Sequence, residues 1–127
     1  MSDASPARDL GPPRPLRKEE LTLIKKLLAG TPYEKGALSR LVEARVQDMQ
    51  DGGMGSIRFF NPSPEKRIFS KEIAEGLFHD ADETPVSVTL NLDQFGDLFE
   101  LDVWKVNFSP LIRYPTIKDV EIVERHN

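Results

Sequence analysis

The apolar residues near the start of the chain recur with helical spacing. One stripe in residues 17–29, RKEELTLIKKLLA, consists of Leu21, Ile24, Leu27 and Leu28. Glutamates in the first turn and lysines near the end match the helix dipole. Gly30 and Pro32 are placed to end the element. The pattern therefore predicts a helix over residues 17–29.

A second, shorter helix is predicted over residues 34–42. Its apolar residues share one face when they are placed on a helix, although Gly36 weakens the helical propensity. The predicted buried face consists of Tyr33, Ala37, Leu38, Leu41 and Val42.

From about Arg45 onward the spacing of apolar residues changes to alternation, which is typical of strands. RVQDM and SIRFF flank a glycine-rich turn and predict a β-hairpin. A third strand is predicted within residues 67–79, bent or bulged near Ser70 or Gly76. Residues 116–124, TIKDVEIVE, predict a last strand at a charged sheet edge.

Residues 84–111 predict the central hairpin of the sheet. Val86, Val88, Leu90 and Leu92 alternate with polar residues, and Phe99, Leu101 and Val103 do the same on the second strand. The apolar residues of the two strands lie on the same face of the sheet if the residue numbers of each directly paired couple add up to 189 or 191. Either register leaves a four-residue loop, which is a common hairpin length.

These elements predict an α+β fold in which one or two N-terminal helices pack on an antiparallel meander of five to six strands. Residues 1–15 are rich in proline and lack apolar periodicity, so we expect an extended, weakly packed arm. Residues 16–127 are then a single α+β domain. Its helix at 17–29 is the natural cover for the apolar face of the central hairpin.

The net charge of −4 is unevenly distributed along the chain. Residues 72–104 hold nine Asp and Glu side chains and no Lys or Arg. Such a segment repels phosphate backbones, so we expect no contact with nucleic acid. It favours a basic protein partner or a cation, although a merely solvated acidic surface explains the same pattern.

The composition of the chain excludes or restricts several other kinds of function. The chain has no cysteine and only two histidines, His79 and His126, so thiolate chemistry is excluded and zinc would need a carboxylate-rich site. We predict no metal and no cofactor. Membrane spans and a secretory signal are not predicted, and a cytoplasmic location is the default expectation.

The polar face of the central hairpin is the candidate binding surface. It combines hydroxyl, amide, carboxylate and indole groups, and exposed aromatic residues among polar groups are typical of interfaces. Asp80 and Asp82 lie in an acidic turn beside His79, which suggests a metal or an acid–base pair, although an exposed histidine is the simpler interpretation. The predicted binding residues are Trp104, Glu100, Asp102, Thr89, Asn91, Asp80 and Asp82.

Two short motifs are only weak evidence for a binding function. Residues 51–56, DGGMGS, lack the spacing and the lysine of a phosphate-binding loop and precede a strand, so a turn is expected. Pro12 and Pro15 form a PxxP spacing that a proline-rich tail produces easily.

The stretches RPLRKEEL, DGGMGS, PVSVTLNLD and LFELDVWKVNFSPL resemble a family of small bacterial proteins that is described only as a domain of unknown function. The resemblance spans roughly residues 14–115. The family pattern often has an aspartate where this chain has Asn107. The resemblance implies a bacterial source and a stand-alone cytoplasmic domain, and it supplies no activity and no catalytic residues.

Our leading hypothesis is a non-enzymatic binding protein whose acidic sheet surface engages a basic protein partner, for example a bacterial immunity protein that neutralises a toxin. One alternative is a small-molecule-binding or hydrolytic domain with Glu100, Asp102 and His79 in a pocket between helix and sheet. Another alternative is a homodimer that buries the Trp104 face against its copy.

Overall fold

The computed structural model describes residues 10–124, which form two helices and seven strands. The α+β class is therefore confirmed. The helices are α1 (Lys18–Leu28) and α2 (Glu34–Leu41). The strands are β1 (Arg14–Pro15), β2 (Arg45–Asp48), β3 (Ile57–Phe59), β4 (Phe69–His79), β5 (Pro85–Asp93), β6 (Leu98–Lys105) and β7 (Glu121–Ile122).

All strands belong to one antiparallel sheet with the order β1-β2-β3-β6-β5-β4-β7. The prediction of five to six strands is wrong, because Arg14–Pro15 adds a strand at the edge beside β2. The predicted meander holds for β4, β5 and β6. It fails between β3 and β4, because β3 pairs with β6 and the chain then crosses to the far side of the hairpin.

The crossing segment, residues 60–68, is fastened to the end of the β5–β6 hairpin by Arg67. The Arg67 Nε atom lies 2.7 Å from the buried Asp93 Oδ2 atom. Its terminal nitrogens donate to the carbonyl oxygens of Phe59 and Leu98 at 2.6 and 2.8 Å. One arginine therefore joins the end of β3, the crossing segment and both strands of the hairpin.

Helix α1 matches the predicted boundaries within one residue and buries Leu23, Ile24, Leu27 and Leu28. Of the four residues predicted for its apolar stripe, Leu21 is only partly buried. Gly30 follows the helix with a φ of 80°, a conformation that glycine adopts without strain.

Helix α2 also forms where predicted, but its predicted buried face is partly wrong. Ala37 and Leu41 are buried, and Tyr33 and Leu38 pack against the core. Val42 is 85 % exposed, because the helix ends at Leu41 and the chain turns away before Val42 meets the sheet.

The core lies between the helices and one face of the sheet. The inward residues of the central strands are buried, as predicted: Val86, Val88, Leu90, Leu101 and Val103. Ala74 and Phe78 from β4 extend this apolar layer towards Val120. Side chains that alternate with these residues therefore stand on the face away from the helices.

A β-bulge changes the pattern at the start of β6. The pairing shifts between Asn91↔Glu100 and Leu92↔Leu98, so Phe99 has no partner in β5. Leu98 packs against the core, whereas buried Phe99 lies against the guanidinium groups of Arg58 and Arg67, at 4.8 and 5.1 Å from the ring centroid. The prediction that Phe99 shares the core face with Leu101 and Val103 is therefore wrong.

The described part of the proline-rich arm, residues 10–15, lies along β2. Arg14 bridges two carboxylates: it lies 2.8 Å from the buried Glu20 Oε2 atom and 2.7 Å from the Asp48 Oδ1 atom. Glu20 also accepts the N–H of Arg17 at the start of α1. This cluster fixes the arm to both the helix and the sheet edge. Residues 1–9 and His126 lie outside the described residues.

At the C-terminal end, the strand predicted over residues 116–124 is mostly wrong. Ile117–Asp119 form a 3₁₀ turn, and only Glu121–Ile122 pair with β4. The bulge near Ser70 is confirmed, but Gly76 keeps regular pairing and a second irregularity occurs between Glu72 and Ala74. No helix among residues 10–124 is both long and apolar enough to cross a bilayer.

Gly76 is required for the approach of Val120 to the sheet. A Cβ atom at Gly76 would lie 2.7 Å from the Val120 Cγ1 atom and 3.4 Å from Leu27 and Val88. We predict that Gly76→Ala lowers the free energy of unfolding by about 1–3 kcal/mol, because the valine side chain cannot rotate away easily. Urea denaturation measures this change.

The matched control is Gly36→Ala in α2, where a Cβ atom meets nothing within 4 Å. This variant should gain roughly 0.5–1 kcal/mol from helix propensity. Equal effects of the two substitutions would contradict the proposed steric role of Gly76.

Candidate functional site

The observed pairing of β5 and β6 brings most of the predicted binding residues together. Ser87 pairs with Trp104, Thr89 with Asp102 and Asn91 with Glu100. The paired numbers sum to 191 from Val86 to Asn91, so one of the two predicted registers is confirmed up to the bulge.

The neighbouring strands widen this polar surface. Glu72 and Glu75 of β4 lie opposite Asn91 and Thr89, and Arg58 of β3 lies opposite Glu100. Directly paired residues point to the same side of a sheet. We define the acidic face as Glu72, Glu75, Glu100 and Asp102, four carboxylates on the side away from the helices. Both Glu72 and Glu75 have interactions of their own within the chain.

Glu100 is held in a buried ion pair. Its Oε2 atom accepts from the Nε atom of Arg58 at 2.9 Å and also from the Nη2 atom. The same guanidinium lies over the ring of Phe99. Glu100 is therefore a fixed part of the sheet whose charge is compensated by Arg58, and it is not a mobile binding group.

Asp102 and Asn91 form the second polar pair. The Asn91 Nδ2 atom donates to the Asp102 Oδ2 atom at 2.9 Å. Asn91 is only 3 % exposed, and its Oδ1 atom is buried without a hydrogen-bond partner among residues 10–124. Burial, and then the negative charge of Glu100, raise the pKa of Asp102 to about 6. The Asn91 Oδ1 atom of this pair therefore lacks a hydrogen-bond donor within the described part of the chain.

Trp104 and Phe108 form an exposed aromatic pair beside the acidic face. Their ring centroids lie 5.8 Å apart at an interplanar angle of 70°, and the side chains are 46 % and 67 % exposed. Phe108 has a φ of 64°, which is uncommon for a bulky residue. We call Trp104 and Phe108 the aromatic edge. Leu77 of β4 pairs with Ser87, and Ser87 pairs with Trp104, so these three residues lie side by side on neighbouring strands.

Asp80 and Asp82 belong to a structural ion pair and not to the acidic face. The Lys105 Nζ atom lies 2.8 Å from Asp80 Oδ2 and 3.0 Å from Asp82 Oδ2, and both Lys105 and Asp80 are buried. Asp80 also accepts the N–H groups of Ala81, Ile112 and Arg113. The prediction that Asp80 is a surface binding residue is therefore wrong, because its carboxylate is fully engaged inside the protein.

The ionisation of this pair follows from its contacts. Burial alone would raise the pKa of the Asp80 carboxyl, but backbone N–H groups and Lys105 lower it well below its usual value. Burial alone would lower the pKa of Lys105, but hydrogen bonds to Asp80 and Asp82 raise it. The pair is charged at neutral pH.

His79 is exposed and pairs with Pro85 at the opposite end of β5 from Asn91. Pro85 and Asn91 are six positions apart along the strand, which is roughly 20 Å at the usual rise. The structure therefore does not bring His79 together with Glu100. Among residues 10–124 no cluster of His, Asp or Glu has the arrangement of a metal site.

The hydrolytic alternative placed Glu100 and Asp102 in a pocket between helix and sheet. Both residues are on the other side of the sheet. Neither of them lines the cleft that the end of α2 forms with the start of β2 and the segment after β3. Their carboxylates are therefore not placed for chemistry in that cleft.

Sequence reasoning missed Arg58, Lys105 and Phe108 as contributors to this region. Lys105 follows Leu101 and Val103 in the alternation of inward-facing residues, so the sequence contained a signal for its burial. The left-handed conformation of Phe108 depends on the turn after β6, in which its N–H donates to the carbonyl oxygen of Lys105. Asn107 and Pro110 are turn residues, and the Asn107 Oδ1 atom accepts the N–H of Ser109, but no residue type in the turn indicates a left-handed conformation at Phe108.

The fold defines an α+β domain with two helices on one face of a seven-stranded antiparallel sheet. A family model for a domain of unknown function, DUF6984, matches residues 13–115 of the chain. The chain belongs to this family, which confirms the predicted resemblance to a family of unknown function; the bacterial origin stays a prediction. No curated protein and no solved structure matches the chain.

The ion pair of Lys105 yields a prediction about stability. Asp80→Asn removes the buried counter-charge of Lys105, and we expect a loss of about 3 kcal/mol in the free energy of unfolding. The matched control is Asp82→Asn, which removes the half-exposed partner of the same ammonium and should have a clearly smaller effect. Similar losses for both variants in urea denaturation would contradict the central role of Asp80.

The raised pKa of Asp102 predicts an unusual pH dependence. The folded protein holds this proton more tightly than the unfolded chain, so the contribution of Asp102 to stability falls as pH rises from about 4 to about 6. Asp102→Asn should therefore gain stability relative to the natural protein by about 1–2 kcal/mol over that interval, after allowance for solvent screening.

Unfolding of both proteins between pH 4 and pH 7.5 measures this difference. Carboxylates with lowered pKa, such as Asp80 and Asp93, contribute the opposite slope, which cancels when the two proteins are compared. A difference that does not change with pH, or a carboxyl ¹³C titration of Asp102 with a midpoint near 4, would contradict the prediction.

Proposed function

We propose that this protein is a non-enzymatic binding protein that engages a basic protein partner through the acidic face and the aromatic edge. The concrete form of the proposal is a bacterial immunity protein that neutralises a toxin in the cytoplasm.

The observation that carries the proposal is the strained and exposed position of Phe108. A left-handed conformation is unfavourable by about 1–2 kcal/mol for a residue with a side chain. Phe108 nevertheless adopts it, stays 67 % exposed and packs edge-on against the half-exposed Trp104. Strain that is kept at a surface aromatic residue favours a role in binding. Trp in particular is enriched among the residues that dominate binding energy.

The charge of the neighbouring surface indicates the chemistry of the partner. The acidic face attracts a basic protein over distances of about a Debye length and repels nucleic acid. Asp102 has a raised pKa, and Asn91 Oδ1 has no donor among the described residues. A lysine or arginine of the partner would donate to Asp102 and stabilise its charged form.

The homodimer alternative uses the same aromatic edge. A two-fold dimer would place each acidic face close to its copy, because the acidic residues and Trp104 share one sheet face. The resulting repulsion favours a basic partner over a second copy. Light scattering at neutral pH distinguishes the two, since the proposal expects a monomer of 14.4 kDa.

The test is affinity capture from an extract of the source organism, followed by binding measurements with the purified partner. We expect a basic protein on the natural chain. The double variant Trp104→Ser/Asp102→Asn should weaken its binding by about 30-fold or more, because it removes an aromatic anchor and a charge. The control Phe95→Ser/Glu65→Gln removes an exposed aromatic residue and an exposed carboxylate elsewhere and should bind normally.

Phe108→Asn separates binding from folding. Asparagine tolerates the left-handed conformation, while the contact with Trp104 is lost, so stability should stay within about 1 kcal/mol. Partner binding should nevertheless weaken. Recovery of no basic partner, or equal capture by the natural chain and the double variant, would overturn the proposal.

A further inference from the structure

A cleft of about 500 Å³ lies on a different part of the molecule, between the end of α2, the start of β2 and the segment after β3. Its volume falls within the range of small-molecule sites, about 300–1,000 Å³. None of the residues of the acidic face or the aromatic edge lines it. Any ligand of this cleft is therefore independent of the proposed protein partner.

The charged residues of the cleft are three arginines and one aspartate, in a chain whose net charge is −4. Arg67 is neutralised by the buried Asp93, and Arg40 pairs with Asp97. Arg45 is exposed, and among residues 10–124 its side chain has no hydrogen bond or ion pair. The cleft therefore holds one uncompensated positive charge.

Two further electrostatic effects decide how strong this charge is. The C-terminal end of α2, near Leu41, contributes at most about half a negative charge, which is less than the full charge of Arg45. The Arg40–Asp97 pair is largely exposed, with side-chain exposures of 67 % and 41 %. Such surface pairs are weak, so Arg40 can exchange Asp97 for an anionic ligand.

The remaining wall is mainly apolar. Leu41, Phe59 and Leu98 line the cleft together with Phe60, which is 39 % exposed. An aromatic or aliphatic group placed against Phe60 would remove apolar surface from water on both sides. The cleft thus combines an apolar wall with a basic rim.

We propose that this cleft binds a small organic anion. Its carboxylate or phosphate group pairs with Arg45 and Arg40, and its apolar body lies against Phe60 and Leu41. A guanidinium donates two parallel hydrogen bonds to either head group, so the common feature is a planar or tetrahedral oxyanion on an apolar body. The small volume excludes a folded partner and favours a metabolite-sized ligand.

The test is a ¹H–¹⁵N NMR titration of the full chain with three probes: benzoate, phenyl phosphate and the uncharged benzyl alcohol. We expect saturable shifts of cleft amides, such as Arg45, Phe60 and Leu98, with at least one of the two anions. Benzyl alcohol should bind about tenfold more weakly or worse, because it lacks the charge-assisted hydrogen bond. The anion that binds more tightly identifies the head group.

Arg45→Met keeps the apolar stem and removes the charge, so it should weaken anion binding by about tenfold or more. Arg40→Met is a second variant with the same expected direction. Arg113→Met is the matched control, because Arg113 is exposed and does not line the cleft. The dispersion of each spectrum verifies that the variant is folded.

Three results would overturn the proposal. The first is no saturable shift of cleft amides by either anion up to about 10 mM, which is weaker than typical specific recognition. The second is equal affinity for benzyl alcohol, which would reduce the cleft to an apolar depression. The third is unchanged anion binding in both arginine variants.

Discussion

The ion pair of Lys105 and Asp80 is the interaction on which the geometry of the described domain depends. Two opposite charges are buried at the end of the central hairpin, where their desolvation is unfavourable unless every contact is satisfied. Asp80 meets this condition with the ammonium and three backbone N–H groups. Lys105 also donates to the carbonyl oxygen of Pro110. The end of β6, the turn after β4 and the segment after Phe108 are thereby held in one arrangement, and the position of the aromatic edge follows from it.

The division of the sheet into two unlike faces follows from strand alternation and the placement of the helices. α1 and α2 cover the apolar side, so the polar side must place its carboxylates in partial contact with water or in ion pairs. Arg58 neutralises Glu100, whereas Asp102 is left with a raised pKa. The arginine-rich cleft beside α2 lies at the hairpin tip, at the other end of β6 from Trp104. The cleft and the polar face of the sheet therefore do not share residues.

Local sequence patterns predicted the helices and the hairpin register, because these features depend on residues close in sequence. The bulge at Phe99 was not predictable, since it depends on Arg58 and Arg67, which arrive from distant segments to stack on the ring. The burial of Asp80 was missed for a similar reason: its partner Lys105 is 25 residues away, and two of its three backbone donors are 32 and 33 residues away. Trp104 stood out as the only tryptophan, but the strain at its neighbour Phe108 arises from the fold of the following turn.

The two outermost strands, Arg14–Pro15 and Glu121–Ile122, are only two residues long. A peptide that extends a sheet needs a longer row of unpaired backbone N–H and carbonyl groups than either strand presents. Strand addition at these two strands is therefore disfavoured. Strand β4 is eleven residues long, but β7 pairs with it only at Gly76 and Leu77, so recognition through the backbone would fall on the remaining edge of β4.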